Sequence, residues 1–310
     1  MKNKIKVVVS TIFYPVTMAR WFINALERRD DIDLVTVGAF TNNWIPWNHG
    51  MYLPMKYVYA PTIPLPFPPQ PHQDPTLIEH QISFHPDLWI QIDAGFHFSR
   101  RPEAIHSVVI ATDPHVLSPQ YEECRTYADI FFNMQKFYMK PTDVYLPYAY
   151  DPILHASMPE IEKKYDACLI GLQYPQRNQL VQALRQIGLN VYYENGEAYE
   201  EYRWRYNESR VALNWSTLED LNARTFEAMG MKIPLVTNRV PDLKEFFLDG
   251  RDFLGFGSIP EAVEKVQWAL QYPDCVKAIA ESAYAVVSSG HTYDDRVQTI
   301  LEKCELVCKS

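Results

Sequence analysis

Short apolar runs alternate with amphipathic stretches along this chain, and no other feature constrains the fold more. In the first half, runs that predict strands lie at residues 5–10, 32–37, 88–91, 108–111, 130–133 and 144–146. Between the first two runs, residues 18–29 place Phe22 and Leu26 on one face of a predicted helix. Strands that alternate with helices are typical of a parallel sheet. The sequence therefore predicts an α/β fold.

A second α/β unit follows a polar, proline-containing stretch over residues 147–164, where we place a domain boundary. Strands are predicted at residues 165–171, 189–193, 210–215, 235–237 and 253–256, and helices at 176–187, 199–206, 222–229, 260–272, 274–288 and 293–308. We expect an N-terminal domain over residues 1–155 and a C-terminal domain over residues 156–310. Each is long enough to bury a core of its own.

One segment interrupts the alternation. Residues 54–75 contain eight prolines. Proline fixes φ and lacks the N–H group, so this segment cannot form a helix or a central strand. We expect an extended surface loop, which serves either as a stiff connector or as a lip over an acceptor site.

The overall composition excludes several classes of protein. The net charge is −9 and no lysine- or arginine-rich block is present, so binding to nucleic acid is disfavoured. The apolar run at residues 7–9 is too short for a signal peptide, and no stretch approaches the roughly 20 apolar residues of a membrane span. We therefore expect a soluble, cytoplasmic protein without a transmembrane segment.

Most familiar cofactor and metal signatures are absent. The first strand-to-helix turn lacks G-x-G-x-x-G, and the chain has no P-loop, G-x-S-x-G or H-E-x-x-H motif. Cys304 and Cys308 have helical i,i+4 spacing but lack a second pair of ligands, so reduced thiols are expected. Asp31 and Asp33 form a D-x-D at a predicted turn, where a solvated surface is expected. We predict no metal site and no required cofactor.

Residues 214–238 carry the most informative pattern: strand, loop, short helix, glycine and strand. Asn222 is placed to cap the helix, which would leave the N–H groups of Ala223, Arg224 and Thr225 free to bind an anionic phosphate. Arg224 adds a cation, and Glu227 lies on the same face, where its carboxylate could accept hydrogen bonds from vicinal ribose hydroxyls. Glu219, in the preceding loop, could bind a sugar. The alternative is that Arg224 and Glu227 form an ordinary surface ion pair.

Glu219 and Glu227 have the Glu-x7-Glu spacing of retaining glycosyltransferases, and the segments around them resemble one family. Residues 224–230 read RTFEAMG, residues 243–247 LKEFF and residues 290–296 GHTYDDR, while residues 166–171, followed by Arg177, read DACLIG. Together they resemble the spore-maturation, CgeB-like glycosyltransferase family of group 1. The resemblance covers about half of the chain, from 165 to 301.

This resemblance implies a GT-B fold, in which two Rossmann-like domains face a cleft and the last helix, about residues 293–308, packs on the N-terminal domain. It implies transfer of a sugar from a nucleoside diphosphate, most often UDP, to an acceptor hydroxyl, with retention and without a metal ion. Glu227 would bind the donor ribose and Glu219 the sugar, while Arg177, Arg224 and Thr225 would face the diphosphate. The chain departs from the family in one respect, because no lysine follows Arg177 until Lys232.

In the first half, Asp113 and His115 follow a predicted strand end. His115 could relay a proton from the acceptor or contact the donor sugar, with Asp113 beside it; the alternative is a structural turn ahead of Pro114. Three other functions stay open: a non-catalytic sugar-nucleotide-binding or structural protein, a transferase acting on modified DNA bases, and a sugar-nucleotide epimerase.

Overall fold

The computed structural model describes residues 4–46, 50–70, 72–218 and 220–307. By its internal contacts the chain divides into two compact units. The first comprises Met1–Pro147 together with Asp294–Ser310, and the second comprises Tyr148–Tyr293. The predicted domain boundary at residue 155 stays a prediction.

The first unit is built on seven parallel strands. Its elements are β1 (Ile5–Ser10), α1 (Ala19–Glu27), β2 (Ile32–Ala39), β3 (Trp44–Ile45), β4 (Met51–Tyr52), β5 (Ile63–Leu65), β6 (His72–Gln73), α2 (Thr76–Glu79), β7 (Leu88–Ile92), β8 (His97–Phe98), β9 (His106–Ala111), α3 (Ser118–Arg125), β10 (Ile130–Asn133) and β11 (Val144–Tyr145). The strand order is β11-β10-β9-β7-β1-β2-β5. Val8, Trp89 and Val109 lie in its core. The order reverses between β1 and β7.

The second unit repeats this architecture with five parallel strands. Its elements are β12 (Tyr165–Ile170), α4 (Pro175–Gln186), β13 (Val191–Glu194), α5 (Tyr199–Asn207), β14 (Ser209–Asn214), α6 (Ala223–Gly230), β15 (Leu235–Asn238), α7 (Leu243–Phe246), β16 (Leu254–Phe256), α8 (Ile259–Gln271) and α9 (Pro273–Ser288). The strand order is β13-β12-β14-β15-β16, so it reverses between β12 and β14. Leu169, Leu213 and Val236 lie in its core.

A last helix, α10 (Tyr293–Lys303), returns from the second unit to the first. It is shorter than the predicted 293–308, and Cys308 lies outside the described residues. The predicted α/β fold with two parallel sheets is confirmed. The helix α3 was not predicted, because Ser118 and Pro119 open a polar segment with little apolar periodicity.

The proline-rich segment is not wholly a loop, and on this point the prediction is wrong. Ile63–Leu65 forms the edge strand β5, in which Pro64 is the register partner of Gly38 in β2. An edge position tolerates proline because a missing N–H there breaks no ladder on the outer side. Residues 55–57 form a short 3-10 turn beside it.

No described helix is long and apolar enough to cross a membrane.

Candidate active site

The candidate site lies at the carboxyl ends of β12 and β14, where the strand order of the second unit reverses. Open α/β sheets bind ligands at such a point, because loops on its two sides run in opposite directions and leave a crevice. Here β12 ends at Ile170 and is followed by Gly171, while β14 ends at Asn214. Both strands are buried at these ends, so the polar groups of the loops determine what can bind.

Arg224, in the first turn of α6, spans the two strand ends. Its Nη1 donates to Asn214 Oδ1 at 2.8 Å, and its Nη2 donates to the carbonyl oxygen of Ile170. Its Nε is buried and has no hydrogen-bond partner among the described residues. Burial opposes the charge, but Tyr206, Tyr202 and Glu227 outweigh burial and raise the pKa of Arg224. The guanidinium is therefore held charged at the point where the strand order reverses.

Arg177, in the first turn of α4, points to the same place. Its Nε and Nη2 donate to the carbonyl oxygen of Trp215 at 3.0 and 2.9 Å, and its Nη1 donates to that of Leu172 at 3.0 Å. Its side chain is buried. Burial, and then the charge of Arg224, lowers the pKa of Arg177 to about 10. The two arginines are thus close enough to repel each other.

Gly171 shows how closely the two guanidinium groups approach. A Cβ atom at this position would lie 2.6 Å from Arg224 Nη2 and 3.5 Å from Arg177 Nη1. Within the part of the chain that the structure describes, neither arginine forms an ion pair with a carboxylate. Two like charges that no carboxylate pairs directly are costly in a low dielectric. An anion bound beside Gly171 would remove that cost.

The start of α6 differs in two details from the sequence-based prediction. Asn222 occupies the N-cap position, but its side chain makes no capping bond and instead donates to Asn214 Oδ1 at 3.1 Å. The N–H of Thr225 is not free, because it donates to the carbonyl oxygen of Asn222 at 3.2 Å, and its side chain is buried. The N–H groups of Ala223 and Arg224 have no acceptor among the described residues. Two free donors, rather than three, remain at this helix start.

Glu227 lies one turn further along α6 and is buried, so the alternative of a surface pair with Arg224 is wrong. Its Oε2 accepts a hydrogen bond from the Tyr202 hydroxyl at 2.5 Å, and its Oε1 lies 3.8 Å from His155 Nε2. His155 Nδ1 accepts from the N–H of Asp151 at 3.0 Å, so the neutral ring carries its proton on Nε2, facing Glu227. Burial lowers the pKa of His155 despite the nearby Glu227. Oriented by the Tyr202 hydroxyl, with a neutral imidazole nearby, the carboxylate keeps lone pairs free for hydroxyl groups.

The far side of α6 is fixed by aromatic packing. The Phe226 ring stacks on His291 with centroids 5.4 Å apart, and the His291 ring meets Phe246 edge-on at 5.0 Å. Gly230, at the end of α6, lies against Tyr150, where a Cβ atom would come within 2.3 Å of the ring. These contacts fix the orientation in which Arg224 and Glu227 are presented.

Asp113 and His115 lie in the first unit, in the turn between β9 and α3. Asp113 is exposed, and its carbonyl oxygen accepts from the N–H of Val116 at 3.0 Å. His115 Nδ1 lies 3.3 Å from Gln135 Oε1, and its ring lies 5.7 Å from that of Tyr138. Both residues follow the carboxyl end of a strand, one strand away from the point where the order reverses. Their roles stay predictions.

Glu219 lies outside the described residues. Hydrogen bonds fix the loop residues on either side of it. The Ser216 N–H donates to Asn238 Oδ1 at 2.8 Å, and the Ser216 hydroxyl donates to the Asp220 carboxylate.

A cavity of about 830 Å³ lies at the opposite, amino-terminal end of the same strands. It is lined by residues that precede β12, β14 and β15 or follow α8, among them Lys163, Ile233, Pro234 and Pro273. None of the predicted site residues contributes to it. The switch-point site is the better candidate, because ligands of this fold bind at the carboxyl ends.

Sequence reasoning did not assign roles to Tyr202, His155, Asn214 and Gly171. Gly171 could have been found because it ends a predicted strand, and Asn214 because it lies one residue before the end of another. Tyr202 and His155 gave no signal: Tyr202 lies in a helix without a clear apolar face, and His155 lies in the polar stretch between the two predicted halves.

Residues 153–302, just under half of the chain, match the model of a family described as glycosyl transferase-like. The match contains Arg177, Arg224 and Glu227. This half of the chain is glycosyl transferase-like. Its narrower resemblance to the spore-maturation family stays a prediction. None of the curated proteins matches the sequence significantly.

Solved structures resemble this chain over nearly its whole length. Anabaena Alr3699/HepE in complex with UDP and glucose is 12% identical, with a TM-score of 0.63 and coverage of 98% of this chain and 100% of that one. An alpha-glucosyltransferase in complex with UDP and a 13-mer DNA is 11% identical, with a TM-score of 0.63 and coverage of 97% and 99%. A UDP-N-acetylglucosamine 2-epimerase is 12% identical, with a TM-score of 0.57 and coverage of 99% of both chains. The predicted GT-B fold is confirmed.

Proposed function

We propose that this protein is a glycosyltransferase that moves a sugar from a nucleoside diphosphate, UDP foremost, to an acceptor hydroxyl, with retention of configuration. The observation that carries the proposal is the convergence of Arg177 and Arg224 at Gly171 without a carboxylate partner among the described residues. A diphosphate brings the missing negative charge to this point. The choice of UDP as the nucleotide is supported by the solved structures that resemble this chain, of which Alr3699/HepE was crystallised with UDP and glucose.

The arginines suit a diphosphate leaving group. As the bond to the sugar breaks, negative charge grows on the diphosphate, and fixed cations and free N–H groups in a dry site stabilise that charge without reorganisation. Arg177, Arg224 and the N–H groups of Ala223 and Arg224 supply them here. We propose that these groups take the place of a metal ion at the diphosphate.

Glu227 suits the ribose. Its two oxygens are turned toward Tyr202 and His155, and each keeps a lone pair for one of two vicinal hydroxyls. We propose the ribose as its ligand, Glu219 as a ligand of the transferred sugar, and Asp113 with His115 on the acceptor side. Thr225 supports α6 through its bond to Asn222 rather than binding the diphosphate through its own N–H.

The test compares Glu227→Gln with the wild type and with Glu264→Gln, an exposed glutamate on α8. Melting temperatures are measured with UDP, GDP, ADP, TDP and their common sugars. A ligand at about a hundred times its Kd adds about 2.7 kcal/mol of stability. We expect UDP and a UDP-sugar to raise the melting temperature of the wild type and of Glu264→Gln, and Glu227→Gln to lose most of the rise. If no nucleotide stabilises the wild type, the proposed donor is wrong.

Turnover of the stabilising UDP-sugar then separates the remaining functions. Transfer requires an acceptor, whereas an epimerase, which shares this fold, converts the sugar nucleotide alone. A glucosylated DNA product that forms less at high salt would favour a DNA acceptor. Binding without turnover by any acceptor would favour a non-catalytic protein.

A further inference from the structure

Three side chains in the first unit, none of them used above, bring possible metal ligands together. His72 lies on β6, His97 on β8 and Glu123 on α3. The strands β6 and β8 pair in parallel with His72 and His97 as register partners, so the two imidazoles stand side by side. Their rings meet edge-to-face, with centroids 4.5 Å apart.

The ligand atoms already lie near the spacing that a metal ion requires. Glu123 Oε2 is 2.7 Å from His97 Nε2 and 3.5 Å from His72 Nδ1, and the three ligand atoms lie within 4.8 Å of one another. Around a tetrahedral zinc ion with bonds of about 2.0–2.1 Å, ligand atoms are about 3.3 Å apart. Shifts of about 1 Å or slightly more in exposed side chains would complete that geometry, since His72 and Glu123 are exposed.

We propose that His72, His97 and Glu123 bind one Zn²⁺ ion, with water in the fourth position. Two imidazoles and one carboxylate are a ligand set typical of zinc, and an exposed face leaves room for the water. His97 is buried, so its ring is held in place before the metal arrives. The inference is independent of the proposed sugar transfer.

His97 also limits how tightly the metal is held. A zinc-binding imidazole usually donates its second N–H to an acceptor, and loss of that bond typically costs 10- to 100-fold in affinity. His97 Nδ1 is buried and has no partner among the described residues. We therefore expect a dissociation constant in the micromolar range.

The metal would join segments that are distant in sequence. His72 lies within the proline-rich segment 54–75, whereas His97 and Glu123 lie 25 and 51 residues further along the chain. Zinc would therefore fasten one end of that segment to β8 and α3. Its role here is structural, and no chemical step is assigned to it.

The experiment titrates the chelator-treated, full-length protein with Zn²⁺ by calorimetry and measures the melting temperature with and without the metal. His72→Gln and Glu123→Gln remove exposed ligands, so both variants should fold. His85→Gln, an exposed histidine before β7, is the matched control. Limited proteolysis, with the cleavage sites mapped by mass spectrometry, measures how fast residues 54–75 are cut.

We expect one Zn²⁺ per chain, a raised melting temperature and slower cleavage in segment 54–75 for the wild type and His85→Gln. His72→Gln and Glu123→Gln should each weaken binding at least tenfold and lose both effects. Absence of stoichiometric binding, or binding that His72→Gln and Glu123→Gln leave unchanged, overturns the proposal. Either result leaves the response to UDP-sugars unaffected, so it is distinguishable from failure of the proposed function.

Discussion

At the scale of single residues, the candidate site combines a buried, charged arginine with a buried, neutral histidine. Arg224 is kept charged by oxygens around it, whereas His155 is kept neutral by burial, only 3.8 Å from the Glu227 carboxylate. The hydrogen bond from the Asp151 N–H fixes the tautomer of His155. The carboxylate therefore has a neutral ring, rather than a cation, beside it.

The neutral His155 predicts a pH dependence of stability. Its folded-state pKa lies below the unfolded value of 6.5 because of burial, so the unfolded state takes up the proton first. The contribution is fully present above pH 6.5 and is lost as the pH falls toward the folded-state pKa. We expect the difference in unfolding free energy between the wild type and His155→Gln to shrink between pH 7 and pH 5, as measured by urea denaturation. The control His85→Gln should show a constant difference, and a constant difference for His155→Gln would contradict the prediction.

Arg224 predicts that lysine cannot replace it. The guanidinium reaches both Ile170 and Asn214, and an ammonium group cannot reproduce that fork. We expect Arg224→Lys to lose about 1–3 kcal/mol of stability, the cost of a buried acceptor left unpaired, and to weaken UDP binding at least tenfold. Arg185→Lys, which changes a single bond to the Val191 carbonyl elsewhere in the second unit, is the control. Equal UDP affinities for the two variants would refute the assignment.

At the scale of elements, the site depends on where β12 stops. Gly171 follows β12 with φ +138°, a conformation that L side chains rarely adopt, and it leaves the space in which the two guanidinium groups lie. The helix α6 enters this space because Phe226, His291 and Phe246 pack behind it. The strand end and the helix start are thus separately fixed, and the anion site lies between them.

Gly171→Ala tests this arrangement. The new methyl group would strain the backbone and lie 2.6 Å from Arg224 Nη2. We expect a loss of about 1–3 kcal/mol, typical of overpacking and strain, and the loss of UDP binding in calorimetry. Gly188→Ala has a positive φ but nothing within 4 Å of the new methyl group, so it should lose stability and keep UDP binding. Equal effects of the two variants on binding would show that the space beside Gly171 is not used.

At the scale of the whole molecule, the two compact units are not simply two consecutive stretches of the chain, because the first unit contains a segment that follows the second. The last helix, α10, belongs to the first unit, where Arg28 pairs with Asp294 at 2.7 Å, Arg29 donates to Gln298 at 2.9 Å, and Arg296 donates to the Pro147 carbonyl at 2.7 Å. Ile300 is fully buried on it. The first unit is therefore complete only when α10 has been made.

Ile300→Ala is expected to destabilise the first unit by about 2–5 kcal/mol through the cavity it leaves. Hydrogen exchange followed by mass spectrometry should show lost protection in β1 and β2 and little change in β12 and β14. Ile279→Ala on α9, a buried position of the second unit, should show the reverse. Uniform loss of protection in both variants would mean that the two units do not unfold separately.

The sequence by itself determined the elements that burial makes periodic. The strands β1, β7, β9, β10 and β12–β16, with the helices α1, α4, α6, α8 and α9, were predicted because a strand buried on both faces is continuously apolar and a packed helix repeats its apolar residues every three to four positions. Arg224 and Glu227 were singled out by their positions at the start of a predicted helix, and Arg177 by the family resemblance.

Only the tertiary structure decided what these residues touch. That Arg224 bonds to Ile170, 54 positions away, that Tyr202 and His155 hold Glu227, and that His72 meets His97 and Glu123 all depend on strand order and register. Local patterns carry no information about such pairings, because they are set by which strand ends the fold brings together. Pro64 shows the same limit. The chemistry of proline excluded a central strand, but only the tertiary structure shows that Pro64 lies in an edge strand.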